Sequence, residues 1–231
     1  MNHAQKIISE SNLMKQELND INTKINSTIH ILTIPTMPNY QSFTMITEFI
    51  NSHPNIQLLL KEAESNSLFS NLSDNQCDII FARTFNFNND KFEELPMETD
   101  KFVAVLPRDH KSANKKEIEL SALNTERFLI LGPSTNLYEP VISLANQAGF
   151  DPQITYKGSR TDLIVQMVEK GVGVSILTEK TISAFKNKNI AILPLKHSID
   201  SKLSFFRKKG QHSDANNRFW EYIRENHSIS E

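Results

Sequence analysis

Hydroxyl side chains set just after short apolar runs are the residues of this chain best suited to chemistry, and that chemistry is recognition. Three joints carry them: Ile-Leu-Thr-Ile-Pro-Thr-Met-Pro-Asn at 31–39, Phe-Leu-Ile-Leu-Gly-Pro-Ser-Thr-Asn at 128–136 and Ile-Thr-Tyr-Lys-Gly-Ser-Arg-Thr-Asp at 154–162. Each reads as a strand entering a helix N-terminus, where free backbone N–H groups and the helix dipole favour an anion. Ser134 and Thr135 in the second joint, and Ser159 and Thr161 in the third, either face a ligand or act only as caps. Arg83 follows the apolar run Ile79–Ala82, at a strand's carboxyl end. A guanidinium there clamps a carboxylate through two hydrogen bonds, or forms a surface ion pair. Arg160 is a second cation, turned to the same cleft or to solvent, and Met37 lines the cleft mouth or fills a gap in the core.

Catalytic patterns are missing. The chain has no Gly-x-Ser-x-Gly elbow, no Walker loop and no dinucleotide fingerprint. Asp78, Asp162 and Glu62 have structural readings as strand-end or capping groups. The seven histidines show no i,i+4 pair, and Cys77 is the single cysteine. No metal set, cofactor or internal disulfide is therefore expected, nor an enzyme.

Composition narrows the class further. A formal net charge of −2 over 231 residues provides no basic field of the kind a stand-alone nucleic-acid binder needs. No apolar run approaches the ~18 residues of a transmembrane helix, and the first 30 residues hold no signal-peptide core. A cytoplasmic protein without membrane association is expected.

The elements that must position the joints follow from periodicity. Ala4, Ile7, Ser11, Met14, Leu18, Ile21 and Ile25 recur at alternating steps of three and four, the spacing of a helix that pairs along a narrow seam or packs on its own domain. Strands are predicted at Ile29–Ile34, Ile56–Lys61, Ile79–Ala82, Lys101–Leu106, Phe128–Leu131, Ile154–Tyr156, Val172–Leu177, Ile190–Leu195 and Leu203–Phe206. Helices are predicted at Asn39–Ser52, after Ser65, from Leu137 to Ala148, after Ser159 and over about Ala215–Asn226. Capping boxes are expected at Asn136/Glu139 and Ser159/Asp162, and the polar stretch 85–94 reads as a loop. Two successive β/α units imply an α/β fold of two subdomains, with ligands at the carboxyl ends of the strands.

An ordered set of short matches carries a family resemblance. Leu-Thr-Ile-Pro-Thr-Met-Pro (32–38), His53-Pro54-Asn55-Ile56, Glu62-Ala63-Glu64-Ser65, Cys77-Asp78-Ile79-Ile80, Ala-Gly-Phe-Asp-Pro (148–152) and Val-Glu-Lys-Gly-Val-Gly-Val-Ser-Ile-Leu (168–177) resemble the effector domain of LysR-type transcriptional regulators. The resemblance implies two Rossmann-like subdomains of periplasmic-binding-protein type II architecture behind a linker helix. It divides the chain into a linker and dimerisation helix (1–27), subdomain I (28–99 and 200–231) and subdomain II (100–199). It places Thr36 where the family commonly has a ligand-binding Ser or Thr, and Ser159 and Thr161 where a hydroxyl often faces the cleft. It further implies a small effector, a carboxylate by the anion argument above, and a homodimer or homotetramer. DNA contact would come only through the family's winged helix-turn-helix, which has no counterpart in these residues. The alternative is a stand-alone small-molecule-binding protein of the same fold.

Overall fold

The strands sort by burial before they sort by order. In the computed structural model, which describes residues 27–185 and 187–227 with seven residues between 7 and 17, β3 (Ile79–Thr84) is buried at every position. It is an interior strand, parallel to β1 (Thr28–Thr33), which is itself parallel to the edge strand β2 (Gln57–Glu62). On its other side β3 pairs antiparallel with β9 (Asp200–Lys208), and β9 with β4 (Phe92–Pro107).

The long strand β4 ties the molecule together. Its first part, as far as Lys101, pairs with β9; from Phe102 onward it pairs with β7 (Ser175–Thr178) on one side and β8 (Ile190–Pro194) on the other. One strand therefore leaves one sheet and enters another between Lys101 and Phe102. Beyond that point side chains alternate with period two. Phe102, Ala104 and Leu106 enter one apolar cluster, and Val103 and Val105 enter another on the opposite face. The parallel pair β5 (Arg127–Leu131) and β6 (Gln153–Gly158) completes the second half, and a bridge between Phe128 and Val174 joins it to the segment before β7.

Helices cover these sheets. In the first half, α1 (Gln41–Ser52), the short α2 (Leu68–Ser73) and the C-terminal α6 (Asp214–Asn226) close one core. Phe49, Phe81, Phe205 and Phe219 are fully buried there. Each buried ring contributes roughly 1.5–3 kcal/mol of transfer free energy. Phe49 meets Phe219 edge-on, with ring centroids 5.1 Å apart. In the second half, α4 (Thr161–Glu169) lies on β4 and β5, α5 (Glu179–Ser183) lies on β4 and β7, and α3 (Tyr138–Gln147) packs on the turn Leu120–Leu123 and shares a core with Phe128 and Ile130 of β5.

Several sequence expectations change. The stretch 85–94 is not all loop, because β4 begins at Phe92. Arg83 does not follow a strand; it lies within β3. The helix expected from Asn39 is preceded by a 3₁₀ turn at Met37–Asn39, and α1 proper starts at Gln41. Neither expected capping box forms: the N-cap positions of α3 and α4 are Leu137 and Arg160, without side-chain caps. In the described part of the N-terminal heptad stretch, Ile7, Ser11 and Met14 are helical; Ala4, Leu18, Ile21 and Ile25 lie outside the described residues. Among the described residues no helix is long and apolar enough to cross a membrane.

Candidate functional site

A cleft opens where the carboxyl ends of β1 and β6 face each other. It has two lobes that share Pro35, Thr36, Ser159, Arg160 and Thr161. The inner lobe holds about 240 Å³ and adds Ile34, Leu131 and Leu137 as apolar wall, with Glu64, Ser65, Arg83 and Thr135 as polar lining. The outer lobe holds about 460 Å³ and runs to Asn39, Asp162, Thr181 and Phe185.

The three joints contribute unequally. At the third, Thr161 opens α4, and Ser159, Arg160 and Thr161 line both lobes. Arg160 pairs with Asp162 on the exposed surface; the hydrogen bonds from Arg160 hold the Asp162 carboxyl below its usual range. At the first, Thr36 lines both lobes, but the Met37 N–H is satisfied by the Ile34 carbonyl at 3.1 Å. The N-terminus of α1 does not face the cleft: its Ser42 N–H and hydroxyl both donate to Glu98 Oε1, each at 3.2 Å. At the second, the Thr135 hydroxyl donates to the Gly132 carbonyl at 2.9 Å, and its side chain still lines the inner lobe.

Met37 and Ser134 take other places. Met37 is 1% exposed and belongs to the core of the first half rather than to the cleft mouth. Ser134 contributes its carbonyl, which accepts the Asn66 N–H at 3.4 Å, and its side chain lines neither lobe. Asn136 Nδ2 donates to the Arg83 carbonyl at 3.2 Å, so the second joint is tied to both Asn66 and β3.

Arg83 reaches the cleft wall, but its charge is spent elsewhere. The side chain is 3% exposed and its Nη2 lies 3.4 Å from Asp100 Oδ2, whose side chain is fully buried. The guanidinium also donates to the hydroxyls of Tyr40 and Ser201. Tyr40 OH in turn donates to Asp100 Oδ2 at 2.7 Å, and burial pushes its phenol pKa up. Tyr40, Glu98, Asp100, Lys180 and Ser201 are the polar residues that the sequence reading missed. Among the described residues, no three His, Cys, Asp or Glu side chains gather in a metal-binding group.

This geometry defines a class: an α/β domain of two lobes joined by shared strands, with a cleft at the strand ends. Comparison with known proteins narrows it. Residues 23–228 match the LysR substrate binding domain, and the chain belongs to that family. In sequence it is similar to the transcriptional dual regulator GltC of Bacillus subtilis, at 23% identity over 78% of this chain and 61% of that protein. The chain thus spans about half to two thirds of the length of the curated relatives it matches. In structure it is similar to the effector-binding domain of QuiR in complex with shikimate, with a TM-score of 0.74, 20% identity and coverage of 87% of this chain and 96% of that one. It is also similar to the CcmR regulatory domain of Synechocystis PCC6803 in complex with 2-PG, with a TM-score of 0.77, 19% identity and coverage of 88% and 98%. The fold is accordingly the periplasmic-binding-protein-like type II fold.

Proposed function

We propose that this chain is the effector-sensing part of a LysR-type transcriptional regulator, and that its ligand is a small carboxylate bound between Thr36 of one half and Ser159 and Thr161 of the other. The observation that carries this reading is a cleft lined by hydroxyls from both halves, with the first turn of α4 on both lobes. A helix N-terminus flanked by hydroxyls suits one carboxylate group. That QuiR and CcmR are described with shikimate and 2-PG supports a small-molecule role for the same fold.

Charge limits the ligand. Arg160 is matched by Asp162 and Arg83 by Asp100, while Glu64 in the inner lobe forms no ion pair among the described residues. No cation among the described lining residues is left uncompensated, so the cleft suits a monoanion better than a di- or trianion. In this reading residues 28–99 with 200–231, and 100–199, are two subdomains that close on the ligand. Residues 1–27 link and pair protomers in a cytoplasmic homodimer or homotetramer. DNA contact is made by a segment outside this chain, and no reaction is catalysed.

A thermal-shift panel of benzoate, shikimate, pyruvate and citrate tests the reading, run on the native chain, Thr36→Val and Ser159→Ala. A ligand at ~100 times its Kd adds roughly 2.7 kcal/mol, a shift of several degrees. A monocarboxylate shift that shrinks in both variants, with citrate weaker, is the expected result. A shift that survives both substitutions, or none with any acid, overturns the assignment.

A further inference from the structure

Two carboxylates on β4 occupy the point where the strand passes from one sheet to the other. Glu98 and Asp100 stand one residue apart, just before the Lys101–Phe102 changeover, and each reaches both halves of the molecule. Glu98 accepts from the Ser42 N–H and hydroxyl at the start of α1 in the first half, and from Lys180 Nζ of α5 in the second at 2.6 Å. Asp100 does the converse. Its Oδ1 accepts the Lys180 N–H at the start of α5 at 3.1 Å, and its Oδ2 accepts from Tyr40 OH at 2.7 Å and Arg83 Nη2 at 3.4 Å in the first half. Both cations approach the Tyr40 ring, the Arg83 guanidinium carbon at 5.7 Å from its centroid and Lys180 Nζ at 5.8 Å. Each acid therefore caps a helix of one half while pairing with a cation of the other.

We infer that Glu98 and Asp100 form a crossed clamp that sets the angle between the two halves, and that Arg83, which belongs to both the clamp and the inner-lobe wall, couples occupation of the cleft to that clamp. Burial makes these contacts consequential, because Asp100 and Arg83 have little water to fall back on. An anion in the inner lobe competes with Asp100 for the guanidinium. Weakening that pair frees Asp100 from the first half and loosens one side of the clamp. A ligand can move the hinge only by such a difference in contacts between the two states. The ligand part of this inference rests on the proposed function; the clamp does not.

Hydrogen exchange followed by mass spectrometry tests the clamp without any ligand. Lys180→Met keeps the apolar stem, removes the ammonium and sits on a partly exposed side chain, so the fold is retained. Exchange at residues 40–45 and 178–183 is expected to accelerate about tenfold, by the loss of a charge-assisted contact, with β1, β3 and β5 unchanged. No change, or an equal acceleration everywhere, overturns the clamp. Benzoate titration of the native chain and Asp100→Asn tests the coupling. Release of the guanidinium from its carboxylate is expected to tighten benzoate binding about tenfold. An unchanged Kd overturns the role of Arg83. Absence of benzoate binding in both forms overturns the role of Arg83 in benzoate binding and leaves the carboxylate reading to the four-acid panel, while the exchange result still decides the clamp.

Discussion

At the scale of single residues, Arg83 shows how a plausible ligand cation becomes a structural one. A strand-end arginine beside a cleft suggests an anion clamp, yet its guanidinium faces the fully buried Asp100. Removing one member of a buried pair strands the other charge, which costs about 3–5 kcal/mol. Arg83→Ala is therefore expected to lower stability by that amount in urea unfolding, whereas Arg160→Ala, at an exposed pair, leaves the midpoint unchanged. A loss of binding in Arg83→Ala alone would say little about the ligand. Cys77 yields a second prediction at this scale. Burial, with a smaller effect from the Asp78 carboxylate, pushes its thiol up to about 12. At pH 8 that leaves about a thousandfold less thiolate than an ordinary cysteine carries. Native protein should resist an aromatic disulfide reagent at pH 8 and react in denaturant; fast native labelling would refute the burial argument. Thr36, Ser159 and Thr161 were legible because a joint is a local pattern. Asp100 was not, because its partner Tyr40 lies 60 residues away and only the fold brings them together.

At the scale of elements, the interior strands and the helices were readable from their apolar periods, and the exceptions have physical causes. The first part of β4 hid because its register shifts between Pro96 and Glu98, which breaks the period-two signal, and because its residues are only partly buried. The first part of β4 was thus the least legible element, although β5, β6 and α4, which position the third joint, were found nearly in place. Capping boxes failed for a different reason. At α4 the Asp162 carboxylate is taken by Arg160, and at α3 the Asn136 side chain donates to the Arg83 carbonyl at 3.2 Å instead of capping. By contrast Ser213 does cap α6, its hydroxyl accepting the Asn216 N–H at 3.2 Å. That helix carries Phe219, Trp220 and Ile223 into the first core. Ser213→Ala should cost about 1 kcal/mol, read as a lower urea midpoint with an unchanged slope. Ser213→Asp should retain most of the stability, because a carboxylate also suits an N-cap; equal losses in both variants would show that the hydroxyl's capping bond is not the cause.

At the scale of the whole molecule, the most exposed large apolar side chains among the described residues lie in the N-terminal helical stretch, not in the folded halves. Ile7 and Met14 stand one heptad apart and are 67% and 58% exposed. Two large apolar side chains on one face, with Glu10, Lys15 and Glu17 nearby, form the kind of seam that pairs helices. If protomers associate there, charge on the seam must separate them without unfolding either one. Ile7→Asp with Met14→Asp is expected to shift the sedimentation-equilibrium mass of the chain toward the monomer at micromolar concentration. Its thermal midpoint should stay within a few degrees, since neither side chain belongs to an apolar core. A dimer mass retained by the double variant would move the interface to the sheet edges, where Leu59 and Leu60 of β2 are 36% and 37% exposed and Ile154 of β6 is 37% exposed. A native chain already monomeric at that concentration would remove self-association through this helix from the proposed function.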